Sequence, residues 1–158
     1  MVDAAVRVYA DTSVFGGVFD EEFREPSRRF FAQVRDGRFA LVTSAVVQEE
    51  VSAAPEGVRA FFDEMLPLAE VADIDDDALQ LQSAYIKAGI LGPRWALDAL
   101  HVALATVSRA SVIVSWNFAH IVHFDRIRSY NRVNQDCGFR VIAVHSPREV
   151  IRYENETL

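Results

Sequence analysis

Four short apolar runs, set between stretches of helical spacing, leave this chain few folds to adopt. Val6 to Ala10, Phe39 to Thr43, Ser111 to Ser115 and Phe139 to His145 are dominated by Val, Ile, Leu, Phe and Tyr, and polar residues follow each of them. Such residues fit a pleated, half-buried surface. Phe39 to Thr43 is nearly all apolar, as expected of a strand covered on both faces. Strands that alternate with helices, joined by connections long enough for right-handed crossovers, predict a parallel sheet. The expected fold is α/β: a three-layer α/β/α domain around a central parallel sheet of four or five strands.

The helical stretches are marked by their spacing and their ends. A polar lead from Asp20 to Ser27 opens a helix with Phe23, Phe30, Phe31 and Val34 on its stripe, closed by Asp36-Gly37. Ser44 caps a helix from Ala45 to about Ala53, stopped by Pro55. Pro55 to Leu66 carries Val58, Phe61, Phe62 and Met65 at helical spacing. Leu68 to Ile74 reads as a connector, and Asp75-Asp76-Asp77 opens the next helix. Trp95 to Ser108 is rich in Ala and Leu, and His123 to Asp136 is a polar helix. Ser146-Pro147 starts a short terminal helix, with Pro where the first helical position tolerates it. With no repeat or linker, residues 1–158 read as one domain.

Composition removes several function classes. The single cysteine, Cys137, excludes an intramolecular disulfide and a thiolate zinc cage. No basic stretch followed by an apolar run opens the sequence, and no run is long enough to span a bilayer, so the expected location is the cytoplasm. A net charge of −7 argues against tight nonspecific binding to a phosphate backbone, which needs clustered positive charge. The same charge suits a cluster of acids that binds divalent cations.

Two acids stand out by position. Asp11 ends the first apolar run, at the carboxyl edge where open α/β sheets bind ligands. As an alternative, Asp11 and Thr12 are turn formers that close the strand. Glu50 follows Val46 by four residues and Val47 by three, so it shares their apolar face; an edge position reaching water accounts for it equally well. Asp98, near the start of its helix, also has a dipole explanation. The acids at Asp73 to Asp77 do not form a calcium loop: Ala78 replaces the glycine of the sixth position and Ala84 the glutamate of the twelfth. Asn117 follows the third strand. In a parallel α/β fold Asp11, Glu50, Asp98 and Asn117 can converge on one pocket. Hard oxygen donors without cysteine or paired histidine point to Mg²⁺ or Mn²⁺, and to metal-assisted hydrolysis of a phosphodiester.

The motifs Asp11-Thr12-Ser13-Val14, Ser44 with Glu50 six residues on, Asp98-Ala99-Leu100-His101-Val102-Ala103 and Ser115-Trp116-Asn117-Phe118-Ala119-His120-Ile121 occur in that order. Together they resemble the PIN domain, in particular the VapC-like toxins of type II toxin–antitoxin systems. The resemblance runs on through Tyr130-Asn131, Asn134 and Ser146-Pro147. It implies that Asp11, Glu50 and Asp98 are metal-binding acids, with Mg²⁺ or Mn²⁺ as cofactor. It further implies cleavage of single-stranded RNA, a homodimer and a small cognate antitoxin. Where the family commonly has a fourth acid this chain has Asn117, which weakens any second metal site. Thr12, Ser13 and Ser115 read as hydrogen-bond donors that orient the acids. His101 reads as a partner of Asp98 or as a packed helix residue, and His120 as a phosphate contact or proton donor.

Two other readings compete. A phosphatase with Asp11 as nucleophile wants a second acid two residues on, where Ser13 stands. A PIN-like module that binds RNA or protein with weak or no catalysis is the alternative that Asn117 favours.

Overall fold

The computed structural model describes residues 4–153. Residues 1–3 and 154–158, part of the expected domain, lie outside them. Five strands, β1 (Val6–Ala10), β2 (Phe39–Ser44), β3 (Ala69–Ala72), β4 (Val112–Val114) and β5 (Ala143–His145), form one parallel sheet in the order β3-β2-β1-β4-β5. The four strands expected from the apolar runs are present. The fifth, β3, lies in the stretch that reads as a connector. It pairs with β2 from Leu41↔Ala69 to Ser44↔Ala72. Its sequence, Ala-Glu-Val-Ala, carries little strand propensity, and its pairing with β2 at the sheet edge supplies what composition does not. The last strand begins at Ala143 rather than Phe139. Just before it, the Asn131 side chain takes both backbone groups of Ile142, accepting from its N–H (2.7 Å) and donating to its carbonyl (2.9 Å).

The connecting helices are α1 (Thr12–Gly17), α2 (Arg24–Arg35), α3 (Ala45–Ser52), α4 (Glu56–Met65), α5 (Asp76–Lys87), α6 (Ala96–Val107), α7 (Phe124–Asp136) and α8 (Pro147–Val150). Directly after Asp11 the chain forms α1, capped by the Asp11 side chain on the N–H of Ser13. Helices α5, α6 and α7 pack on one another, while α1, α2 and α4 interlock through Phe15, Phe31, Phe61 and Phe62. The sheet between them is the core, with Val8, Tyr9, Ala10, Val42 and Ile113 fully buried. This is the expected three-layer arrangement. Among the described residues no helix is long and apolar enough to cross a membrane.

Register places the site. Ala10 pairs with Val114, so Asp11 and Ser115 leave the sheet side by side, and the Asp11 N–H still donates to the Val114 carbonyl (3.2 Å). The chain winds from β1 outward to β2 and β3, then returns to β4 and β5 on the other side. The gap between β1 and β4 is therefore the switch point at which α/β sheets open a crevice beyond their carboxyl ends.

Candidate active site

Asp11 occupies that switch point and is 4% exposed. Its Oδ1 accepts from the Ser13 N–H (3.1 Å) and Ser13 Oγ (2.5 Å), and its Oδ2 accepts from Ser115 Oγ (2.5 Å). With their protons committed to Asp11, the two hydroxyls turn their lone pairs to the loop after β4. Ser13 Oγ accepts from the Trp116 N–H (2.8 Å), and Ser115 Oγ from the Asn117 N–H (2.9 Å). The loop thus hangs on the groups that hold the acid. All three direct donors to Asp11 are neutral. Burial raises its pKa above the ordinary carboxylate value, with His101, Ser115 and Ser13 opposing the shift and the nearby Glu50 adding to it.

Glu50 stands beside Asp11 on α3. Its Oε1 accepts from Thr12 Oγ1 (2.8 Å) and from His101 Nε2 (2.6 Å). Burial raises the Glu50 pKa, but the bond and charge of His101 and the Thr12 hydroxyl outweigh it, and the carboxyl settles below its ordinary value. The other nitrogen of His101, Nδ1, shares a hydrogen bond with the Tyr9 phenol (2.8 Å), which also meets Ser44 Oγ (2.8 Å). Burial holds the Tyr9 pKa far above the ordinary phenol value, so the hydroxyl keeps its proton. His101, expected as a partner of Asp98 or as a packed helix residue, is buried and serves Glu50, with Tyr9 behind it. Tyr9 belongs to none of the sequence motifs. Its one signal was parity, since residues two apart on a strand share a face and Tyr9 precedes Asp11 by two.

Asp98, in the first turn of α6, belongs to a neighbouring pair. Its Oδ2 lies 2.7 Å from His120 Nδ1. Asn117 fixes the loop that delivers His120: its Oδ1 accepts from the His120 N–H (3.0 Å), and its carbonyl accepts from the N–H groups of Ile121 and Val122. The His120 carbonyl accepts from the Tyr130 hydroxyl (2.8 Å), which ties the loop to α7. Asp11, Glu50, Thr12, Ser13 and Ser115 thus lie in one neighbourhood, and Asp98 and His120 pair across the same loop. Among the described residues no three His, Cys, Asp or Glu side chains close on a point that could hold one metal ion. The donor chemistry still suits a hard cation at Asp11 and Glu50, which are adjacent carboxylates, one of them buried with only neutral donors. The third acid is taken up by His120.

A cavity of about 580 Å³ opens elsewhere, near Thr106, Arg109, Ser111 and Arg140, where β4 begins and α7 ends. It lies at the opposite end of the strands from the buried acids, and the chemistry belongs with the acids.

No protein-family model matches the sequence. No curated protein matches it either. Among solved structures, a chain in the crystal structure of VapBC2 from Rickettsia felis bound to a DNA fragment from their promoter is similar, with a TM-score of 0.56 at 12% identity. The likeness covers 89% of this chain and 98% of that one. At such identity it speaks for the path of the backbone, and over that path this chain has a VapC-like PIN-domain fold.

Proposed function

We propose that this protein is a Mg²⁺- or Mn²⁺-dependent endoribonuclease, the toxin of a type II toxin–antitoxin pair, acting in the cytoplasm as a homodimer that a cognate antitoxin restrains. The observation that carries the reading is the buried Asp11 beside Glu50 at the β1–β4 switch point, met only by hydroxyl and amide donors. Asp11 and Glu50 would hold the cation, while Asp98 stays with His120. The chemistry that a bound Mg²⁺ supplies is polarisation of the phosphodiester and of water. The residues of the chain do the rest. Ser13 and Ser115 orient Asp11 through both its oxygens, and His101 and Thr12 fix Glu50 through one, leaving its Oε2 for the ligand. Asp98 orients His120 through Nδ1, so Nε2 is the nitrogen that can hand a proton to the departing oxygen.

With Mn²⁺, the purified protein is expected to cut RNA that has accessible single-stranded loops, and Asp11→Asn is expected to abolish the cut. Undiminished cutting by that variant would overturn the assignment. One observation favours the second reading, a binding module without catalysis: the Asn117 amide oxygen caps the His120 N–H and adds no charge to the acids. Under that reading RNA is retained uncut and no divalent cation binds.

A further inference from the structure

We propose that Trp95 and Arg94 form the grip on single-stranded RNA, with the indole stacking on a base next to the cleaved bond and the guanidinium meeting a neighbouring phosphate. The inference rests on the nuclease reading and adds to it how an acidic protein holds its substrate. A net charge of −7 and a site built of carboxylates repel a polyanion. Binding must then draw on something other than a broad basic surface, and base stacking on an exposed aromatic ring is the sequence-tolerant alternative.

The acid site has such a ring beside it. Gly92-Pro93 lead into a 3₁₀ turn over Pro93–Trp95, which delivers Trp95 to the N-cap of α6, three residues before Asp98. Its ring centroid lies 4.3 Å from that of His120, which pairs with Asp98. Trp95 remains 40% exposed, so part of this large ring is open to a base. The Arg94 guanidinium stands 4.9 Å from the indole centroid. Arg94 is exposed and makes no ion pair among the described residues, which leaves its guanidinium available to a phosphate. Within the loop that carries His120, Phe118, next to Asn117, is 49% exposed and leans on the Phe23–Trp116 stack. The loop therefore bears one exposed aromatic ring and meets a second, Trp95, at His120.

The two tryptophans make the test direct, because Trp116 is buried and Trp95 is not. A single-stranded hexauridylate is titrated into the wild type in EDTA and into Asp11→Asn in Mg²⁺, with intrinsic emission and the anisotropy of an end-labelled hexamer as readouts. The expected result is quenching that vanishes in Trp95→Phe, where only Trp116 reports. Trp95→Ala should weaken binding about tenfold or more, the scale of one lost base stack. Trp95→Phe should restore affinity to within about threefold of wild type, since a phenyl ring still stacks. Arg94→Ala should lower the slope of log affinity against log salt by about 0.7, one phosphate contact on a single strand. Val141→Ala, at the far end of the strands, should change nothing. Unquenched emission, or full affinity in Trp95→Ala, would overturn the inference while leaving cleavage by the wild type to stand or fall separately. Quenching without cleavage would keep the stacking site and remove the nuclease.

Discussion

At the scale of single residues, Asp11 is held in a state that costs stability. Its burial favours the protonated form, so its folded-state pKa lies above the ordinary carboxylate value. Between those two values the folded chain keeps a proton that the unfolded chain has lost, and stability falls as pH rises through that window. Asparagine has nearly the same shape, can accept from Ser13 through its oxygen and can donate to Ser115 through its nitrogen. In EDTA at pH 7, Asp11→Asn should therefore melt above the wild type, with each kcal/mol gained worth about 2–4 °C at this size. The gap should close as pH falls into the ordinary carboxylate range. A lower melting temperature for the variant at pH 7 would contradict the raised pKa. Asp11 and Glu50 were legible in the sequence because a strand end and an apolar helix face are local patterns. Which histidine serves which acid was not, because His101 and Glu50 are 51 residues apart and meet only through packing.

At the scale of elements, the site depends on how closely α1 and α2 approach the loop after β4. A Cβ added at Gly17 would lie 2.8 Å from Trp116 Nε1 and 3.0 Å from its Cδ1, and would also strike Ser27 Oγ. That hydroxyl accepts from the Trp116 indole N–H (2.9 Å), and the Trp116 N–H in turn donates to the hydroxyl of Ser13 that holds Asp11. Gly17→Ala should cost about 1–3 kcal/mol, the range for overpacking a tight contact. It should also shift Trp116 emission to the red. At Gly16 an added Cβ meets nothing within 4 Å, and Gly16→Ala should match the wild type in both readouts. Equal melting of the two variants would show that the contact yields freely. The sequence shows two adjacent glycines and gives no sign of which one is crowded. The same limit applies to β3, whose four residues become a strand only because β2 offers them an edge, and to the late start of β5, where a side chain 11 residues away takes the backbone groups of Ile142.

At the scale of the whole molecule, alternating apolar runs settled the layers and the direction of the strands, and charge decides what the assembled fold can hold. Parallel topology brings Asp11, Glu50 and Asp98 from three separated segments to one end of the sheet, in a chain whose net charge is already −7. Like charges drawn together in the folded state, and spread apart in the unfolded one, make the folded state the better ligand for a divalent cation. A ligand that binds only the folded state stabilises it by about 2.7 kcal/mol when present at about 100 times its dissociation constant. For a domain of this size that is a rise of about 5–10 °C in melting temperature. Mn²⁺ should therefore raise the melting temperature of the wild type, and NaCl at matched ionic strength should not, since screening acts on all surface charges alike. Asp11→Asn and Glu50→Gln should each lose most of the rise. His120→Ala should increase it, because Asp98 is then released from its partner and can join the other two acids. A rise that is equal in wild type and Asp11→Asn would place the cation away from the switch point, and its absence in all four proteins would favour the module that binds without cutting.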